Sequence, residues 1–113
     1  MTVNIPEPVF VYSTIETEAQ AHELGRALVE QKLAACVNIL PGARSIYQWQ
    51  GKLENTQECV MFIKTNGDCL DELLAQAKQL HPYDTPALLV LPIGGGDEDY
   101  LSWAAGQVKA GGG

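Results

Sequence analysis

The feature that most restricts the fold is the stretch from Cys36 to Lys64, which reads as one β-hairpin too long for its chain. Cys36-Val-Asn-Ile-Leu40 and Ser45-Ile-Tyr-Gln-Trp49 form a first arm, and Leu53 through Cys59-Val-Met-Phe-Ile-Lys64 forms the return arm after a single tight turn at Gly51. Pro41-Gly42 marks a bend or bulge in the first arm. At about 3.3 Å per residue, arms of roughly twelve residues reach about 40 Å. A compact domain of this length has a radius of gyration of only about 13 Å. The hairpin tip must therefore stand in solvent or lie on something else. Tyr47 and Trp49 near the tip favour the second option, because an exposed hairpin bearing them is an aggregation hazard.

The rest of the chain supplies a frame for that hairpin. Pro8 to Ser13 is a short β-rich run, and Thr17-x-x-Gln20 after it has the form of a capping box. Ala21, Leu24 and Leu28 then recur at helical spacing, so a helix is expected to end near Gln31 to Leu33, with Lys32 in its last turn. Asn66-Gly67-Asp68 is expected to cap a second helix, in which Leu70, Leu73, Leu74 and Ala77 form the apolar stripe. The loop His81-Pro-Tyr-Asp-Thr-Pro86 is stiffened by two prolines. Leu88 to Ile93 is a nearly continuous apolar strand, the pattern of a central strand buried on both sides. Asp97 caps a short helix containing Tyr100, Leu101 and Ala104, and a flexible tail follows from about residue 107 to 113. The order β-α-β-β-α-β plus a terminal helix is the ferredoxin-like, α+β arrangement, in one domain spanning residues 1–113.

Composition narrows the functional classes. A formal net charge of −7 weakens any nucleic-acid role, since phosphate neutralisation needs clustered cations. The longest apolar run, Ala87 to Leu91, is far short of a membrane span, and no signal peptide is visible before Pro8. Cys36, Cys59 and Cys69 are odd in number and form no C-x-x-C pair, which argues against a disulfide framework or a structural zinc site and for a reducing cytoplasm.

Several residues have the chemistry of a site. His81 is held by the Pro-stiffened loop beside Tyr83, where a ligand-binding role competes evenly with a structural hydrogen bond. Cys36 with His81 has the composition of a nucleophile pair, although free cysteines are usually packing residues. Glu58 and Lys64 are an even number of residues apart on one strand and so face one side. Flanked by Tyr47 and Trp49, they suit a small polar ligand or an interface ion pair equally.

The runs Lys32-Leu-Ala-Ala-Cys-Val-Asn-Ile-Leu-Pro-Gly42, Ser45-Ile-Tyr-Gln-Trp-Gln-Gly-Lys-Leu-Glu54, Lys64-Thr65, His81-Pro-Tyr-Asp84 with Pro86, Leu91-Pro-Ile93 and Tyr100-Leu-Ser-Trp103 resemble the CutA divalent-ion-tolerance family in order along almost the whole chain. The resemblance implies a homotrimer in which each long hairpin packs on its neighbours, an assembly similar to that of the PII signalling proteins. It implies tolerance to copper and other divalent metals with no enzymatic activity, and it places Cys36, Tyr47, Trp49, Glu58, Lys64, His81 and Tyr83 in a cleft between subunits. A copper site in some members uses a cysteine at the end of the first strand and adjacent histidines before the proline. Ser13, Leu80 and His81 hold those positions here, which leaves His81 as the candidate ligand for Cu²⁺ or another divalent cation. Three readings follow: a metal-responsive or small-ligand-binding trimer, a scaffold for a protein partner, and a Cys36/His81 enzyme.

Overall fold

The computed structural model describes residues 7–109. Its elements run β1 (Pro8–Ile15), α1 (Glu18–Glu30), β2 (Cys36–Trp49), β3 (Lys52–Asn66), a 3₁₀ turn (Gly67–Cys69), α2 (Leu70–Leu80), β4 (Leu89–Pro92) and α3 (Glu98–Gln107). The strands form one antiparallel sheet in the order β2-β3-β1-β4. This is the ferredoxin-like order expected from the sequence. Among the described residues, no helix is long and apolar enough to cross a membrane.

Strand alternation sorts the sheet into two unlike faces. Val9, Val11, Ser13 and Ile15 of β1 are buried, as are Cys59, Met61, Ile63 and Thr65 of β3. They meet Ala21, Leu24 and Leu28 of α1, Leu33 after it, and Leu73 and Ala77 of α2, which together form the core. Gly25 lets α1 approach β2 closely, because a Cβ there would stand 3.1 Å from Val37 Cγ1. The other face carries Phe10, Tyr12, Phe62, Leu89 and Leu91, since Phe10 pairs with Leu91 and with Lys64, and Tyr12 with Leu89 and Phe62. Neither α1 nor α2 covers it, and α3 reaches only its Lys64 end, through Tyr100. An aromatic cluster occupies its centre, with ring centroids 6.4 Å apart for Phe10 and Phe62 and 5.9 Å for Tyr12 and Phe62.

The helix ends follow local chemistry. Thr17 Oγ1 accepts from the Gln20 amide at 3.1 Å while Gln20 Oε1 accepts from the Thr17 amide at 3.2 Å, completing the capping box. Asp97 caps α3 by accepting from the Tyr100 amide at 3.0 Å. Lys32, expected in the last turn of α1, instead lies past the helix with φ of 60°. The Asn66 side chain makes no cap hydrogen bond, and the chain passes through the 3₁₀ turn before α2 begins at Leu70.

The apolar strand near Leu88–Ile93 corrects a second expectation. It forms β4 at Leu89–Pro92, on the edge of the sheet, and every one of its residues is exposed in the single chain. Much of its apolar surface is therefore left uncovered within the chain. Of the tail expected from about residue 107 to 113, residues 107–109 are described and are held in the fold. Gln107 closes α3, Val108 packs on the core, and Lys109 donates its amide to the Lys32 carbonyl at 2.9 Å while its own carbonyl accepts from Cys69 Sγ at 2.8 Å. Residues 110–113 lie outside the described residues.

The hairpin is as long as its sequence requires. Gln50 and Gly51 form its two-residue turn with φ of 50° and 78°, the left-handed pair that matches the twist of the strands. The molecule measures 55 × 24 × 23 Å and its radius of gyration is 15.1 Å, above the value of about 13 Å for a compact chain of this length.

Candidate functional site

A one-residue irregularity builds the site. Leu40 pairs with Val60 and Ala43 with Glu58, so β2 uses one more residue than β3 across this step, at Pro41-Gly42, where Gly42 has φ of 86°. Beyond the bulge, Ser45, Tyr47 and Trp49 pair with Thr56, Glu54 and Lys52, and so share a face with Glu58. In an unbulged hairpin Arg44, Ile46 and Gln48 would take that face instead. The bulge thus decides that aromatic side chains stand over Glu58.

The wall opposite the hairpin is the loop after α2. His81 ends that helix and is buried. Its Nε2 donates to the Thr14 carbonyl at 2.9 Å, and its Nδ1 accepts from the Tyr83 amide at 3.1 Å. Both contacts are met by one neutral tautomer with its proton on Nε2. The ring therefore fixes the loop to β1 and orients Tyr83, whose ring centroid lies 4.8 Å from that of His81. Tyr83 in turn donates its hydroxyl to Glu58 Oε2 at 2.6 Å, a short charge-assisted bond. Burial, followed by the bond to Glu58, raises the Tyr83 phenol well above its ordinary range, so it remains a donor.

These groups line an open cavity of about 640 Å³, within the range typical of small-molecule sites. Tyr12 and Thr14 of β1 form its floor, Ser45, Tyr47 and Trp49 one wall, and Tyr83, Asp84 and Thr85 the other, with Glu58 at the base. Trp49 is 51% and Tyr47 41% exposed, whereas Glu58 is only 7% exposed. A second cavity of about 630 Å³, between α3 and the ends of β1 and β3, is lined by residues including Pro8, Asn66, Glu98 and Asp99 and holds none of the candidate site residues.

Tyr47, Trp49, Glu58 and Tyr83 are thus brought together, with His81 directly behind them. Cys36 and Lys64 are not. They pair with each other at the other end of the face, where Lys64 Nζ donates to Tyr100 Oη at 3.2 Å and lies 5.4 Å from the Phe10 ring centroid. Glu58 and Lys64 do share a side, but each has its own partner within the chain. Thr14, to which His81 is tied, pairs with Val60, so Cys36 beside Lys64 sits further along the sheet and two strands away. A Cys36/His81 nucleophile pair does not assemble within one chain. Tyr12, Thr14 and Asp84 were not singled out from the sequence. The alternation of β1 marks Tyr12 and Thr14 as partners on one face, but only the strand order shows that this face meets the hairpin.

A divalent metal does not fit the donors of one chain. Ser13 is fully buried on the helix face, Leu80 has no donor atom, and both nitrogens of His81 are engaged. Among the described residues no group of three or more His, Cys, Asp or Glu side chains converges.

The buried imidazole gives a pH dependence. Burial lowers the His81 pKa below its ordinary 6.5, against the raising effects of the Thr14 carbonyl and the Glu58 charge. The unfolded chain then binds a proton that the folded chain resists, so the stability from neutral His81 is complete above pH 6.5 and is lost as pH falls below it. Urea denaturation across this range is expected to show that loss in the unmodified protein and a flatter profile in His81→Gln.

The sequence profile of the CutA1 divalent ion tolerance protein matches residues 9–107. The divalent-cation tolerance protein CutA of Pectobacterium atrosepticum is 52% identical over 103 residues, covering 91% of this chain and 94% of that one. Among solved structures, CutA1 from Oryza sativa superposes with a TM-score of 0.89 at 38% identity, covering 92% of this chain and 95% of that one. The divalent cation tolerance protein from Thermus thermophilus gives 0.86 at 40% identity, with coverage of 90% and 99%. With a profile matched from β1 to the end of α3 and the same fold in its relatives, the chain belongs to the CutA1 divalent ion tolerance family.

Proposed function

We propose that this protein is a homotrimer that binds a small ligand in the cavity beneath its hairpin, and that its part in divalent ion tolerance is exerted through that ligand. The observation that carries the reading is the Tyr83–Glu58 hydrogen bond of 2.6 Å at the base of a cavity walled by half-exposed Tyr47 and Trp49. A carboxylate buried under aromatic side chains costs free energy that a ligand offsets. The trimer is supported by the uncovered apolar face and by Ile46 and Leu53, which are 67% and 70% exposed on the outer hairpin. A neighbouring copy seated there completes the cleft. The role is binding, with no catalytic step assigned to Cys36 or His81, and copper acts on the pathway without being held by His81.

The chain's net charge of −7 makes nucleic acid an unsuitable partner. Its three free cysteines suit a reducing cytoplasm, although the related CutA of Archaeoglobus fulgidus is named a periplasmic protein. Calorimetric titration with Cu²⁺ and with small cationic, neutral and anionic metabolites tests the reading. Saturable heat from at least one small molecule is expected, with affinity reduced at least about tenfold in Trp49→Ala. Absence of saturable heat from every small molecule would overturn it.

A further inference from the structure

The cavity's charge is one-sided. Glu58 and Asp84 line it, and none of its lining residues is Lys, Arg or His. The cation nearest in sequence on β3, Lys64, is turned to Tyr100 and Phe10 at the other end of the face. Glu58 takes part in no ion pair among the described residues, and its neutral partner, the Tyr83 hydroxyl, donates a proton without supplying positive charge. Within one chain, a carboxylate this deeply buried is therefore hydrogen-bonded but electrostatically uncompensated.

The remaining wall chemistry specifies what compensates it. Tyr12, Tyr47, Trp49 and Tyr83 offer aromatic surface around the carboxylate. Aromatic faces attract cations that shed water easily, and such cages select ammonium groups carrying alkyl substituents. A hard divalent ion instead needs several converging oxygen or nitrogen donors, and one oxygen of Glu58 is already engaged by Tyr83. An anion would meet two carboxylates and the field of a chain with net charge −7.

Resting on the small-ligand reading above, we propose that the cavity is an organic-cation site, in which the ligand's alkylated ammonium group pairs with Glu58 and packs against Tyr47 and Trp49. Tyr83 is a positioning residue. Its hydroxyl holds the Glu58 carboxylate toward the cavity, and His81 holds Tyr83.

The test titrates the intact oligomer with tetramethylammonium, (2-hydroxyethyl)trimethylammonium, the latter's neutral isostere 3,3-dimethylbutan-1-ol and butanoate. Intrinsic fluorescence follows binding in a Trp103→Phe background, which leaves Trp49 as the reporter. Both ammonium ions are expected to quench Trp49 saturably and to bind at least about tenfold more tightly than the neutral isostere, as expected when a desolvated charge pair adds more than about 1.4 kcal/mol. Glu58→Gln is expected to remove that preference, while Tyr83→Phe weakens the ammonium ions and leaves the isostere unchanged. Equal binding of ammonium and isostere, or tighter binding of butanoate, would overturn the organic-cation inference and leave the cavity a ligand site. Failure of all four to bind would also overturn the inference. If the wider calorimetric panel were silent as well, the small-ligand reading would fall with it.

Discussion

On the proposed trimer, Leu89→Asp is expected to leave folded single chains of 12.2 kDa, measured by sedimentation velocity at micromolar concentration. Leu89 is 57% exposed, lies on the edge strand β4, and shares the uncovered face with Tyr12, its register partner. Aspartate there meets solvent in a separated chain and costs the fold little. In the assembly the same carboxylate would be buried against apolar side chains in each copy, at several kcal/mol per unpaired charge. The contrast between the two environments gives the effect its size. Helical content should be unchanged in far-ultraviolet circular dichroism, because α1 and α2 lie on the opposite face of the sheet.

Leu28→Ala should instead act on the chain itself. Leu28 is fully buried between α1 and the sheet, within the cluster that includes Leu24, Leu33, Met61, Ile63 and Leu73. Truncation removes its transfer free energy and leaves a cavity that the packed sheet cannot fill, a loss of about 2–5 kcal/mol. For a small domain this is a large share of total stability. The midpoint of urea denaturation should fall accordingly, with the slope unchanged. The two substitutions separate the sources of order: Leu28 holds the fold, and on the proposed trimer Leu89 holds copies together.

Much of the frame is legible in the residues. The capping box at Thr17 and Gln20, the stripe of Ala21, Leu24 and Leu28, and the turn at Gly51 all express local rules that the tertiary structure leaves intact. Local patterns mislead where they have more than one use. The run of β4 reads as buried because its apolar side chains point both ways, yet here the same pattern stands exposed at an open edge of the sheet. The sequence also identifies Pro41-Gly42 as a bulge, but not which aromatic side chains it would turn toward Glu58. That depends on the register of β2 against β3.

The candidate site divides in the same way. Tyr47, Trp49, Glu58 and Tyr83 stand out in the sequence and meet in the cavity. Even spacing correctly gives Glu58 and Lys64 one side of β3, but parity carries no information about distance along a strand, and the two serve different partners. The His81 imidazole illustrates the limit most plainly. A histidine in a stiff loop has the same sequence signature whether its nitrogens are open to a ligand or, as here, closed by the Thr14 carbonyl and the Tyr83 amide.

On the proposed reading, the uncovered face and the long hairpin belong to a threefold assembly whose clefts hold a ligand. Native mass spectrometry of the unmodified protein decides between this assembly and an isolated chain. One dominant species containing three chains of 12.2 kDa is expected, carrying added small-molecule mass when a cavity ligand is supplied. A dominant 12.2 kDa single chain that never acquires such mass would contradict both the trimer and its cleft.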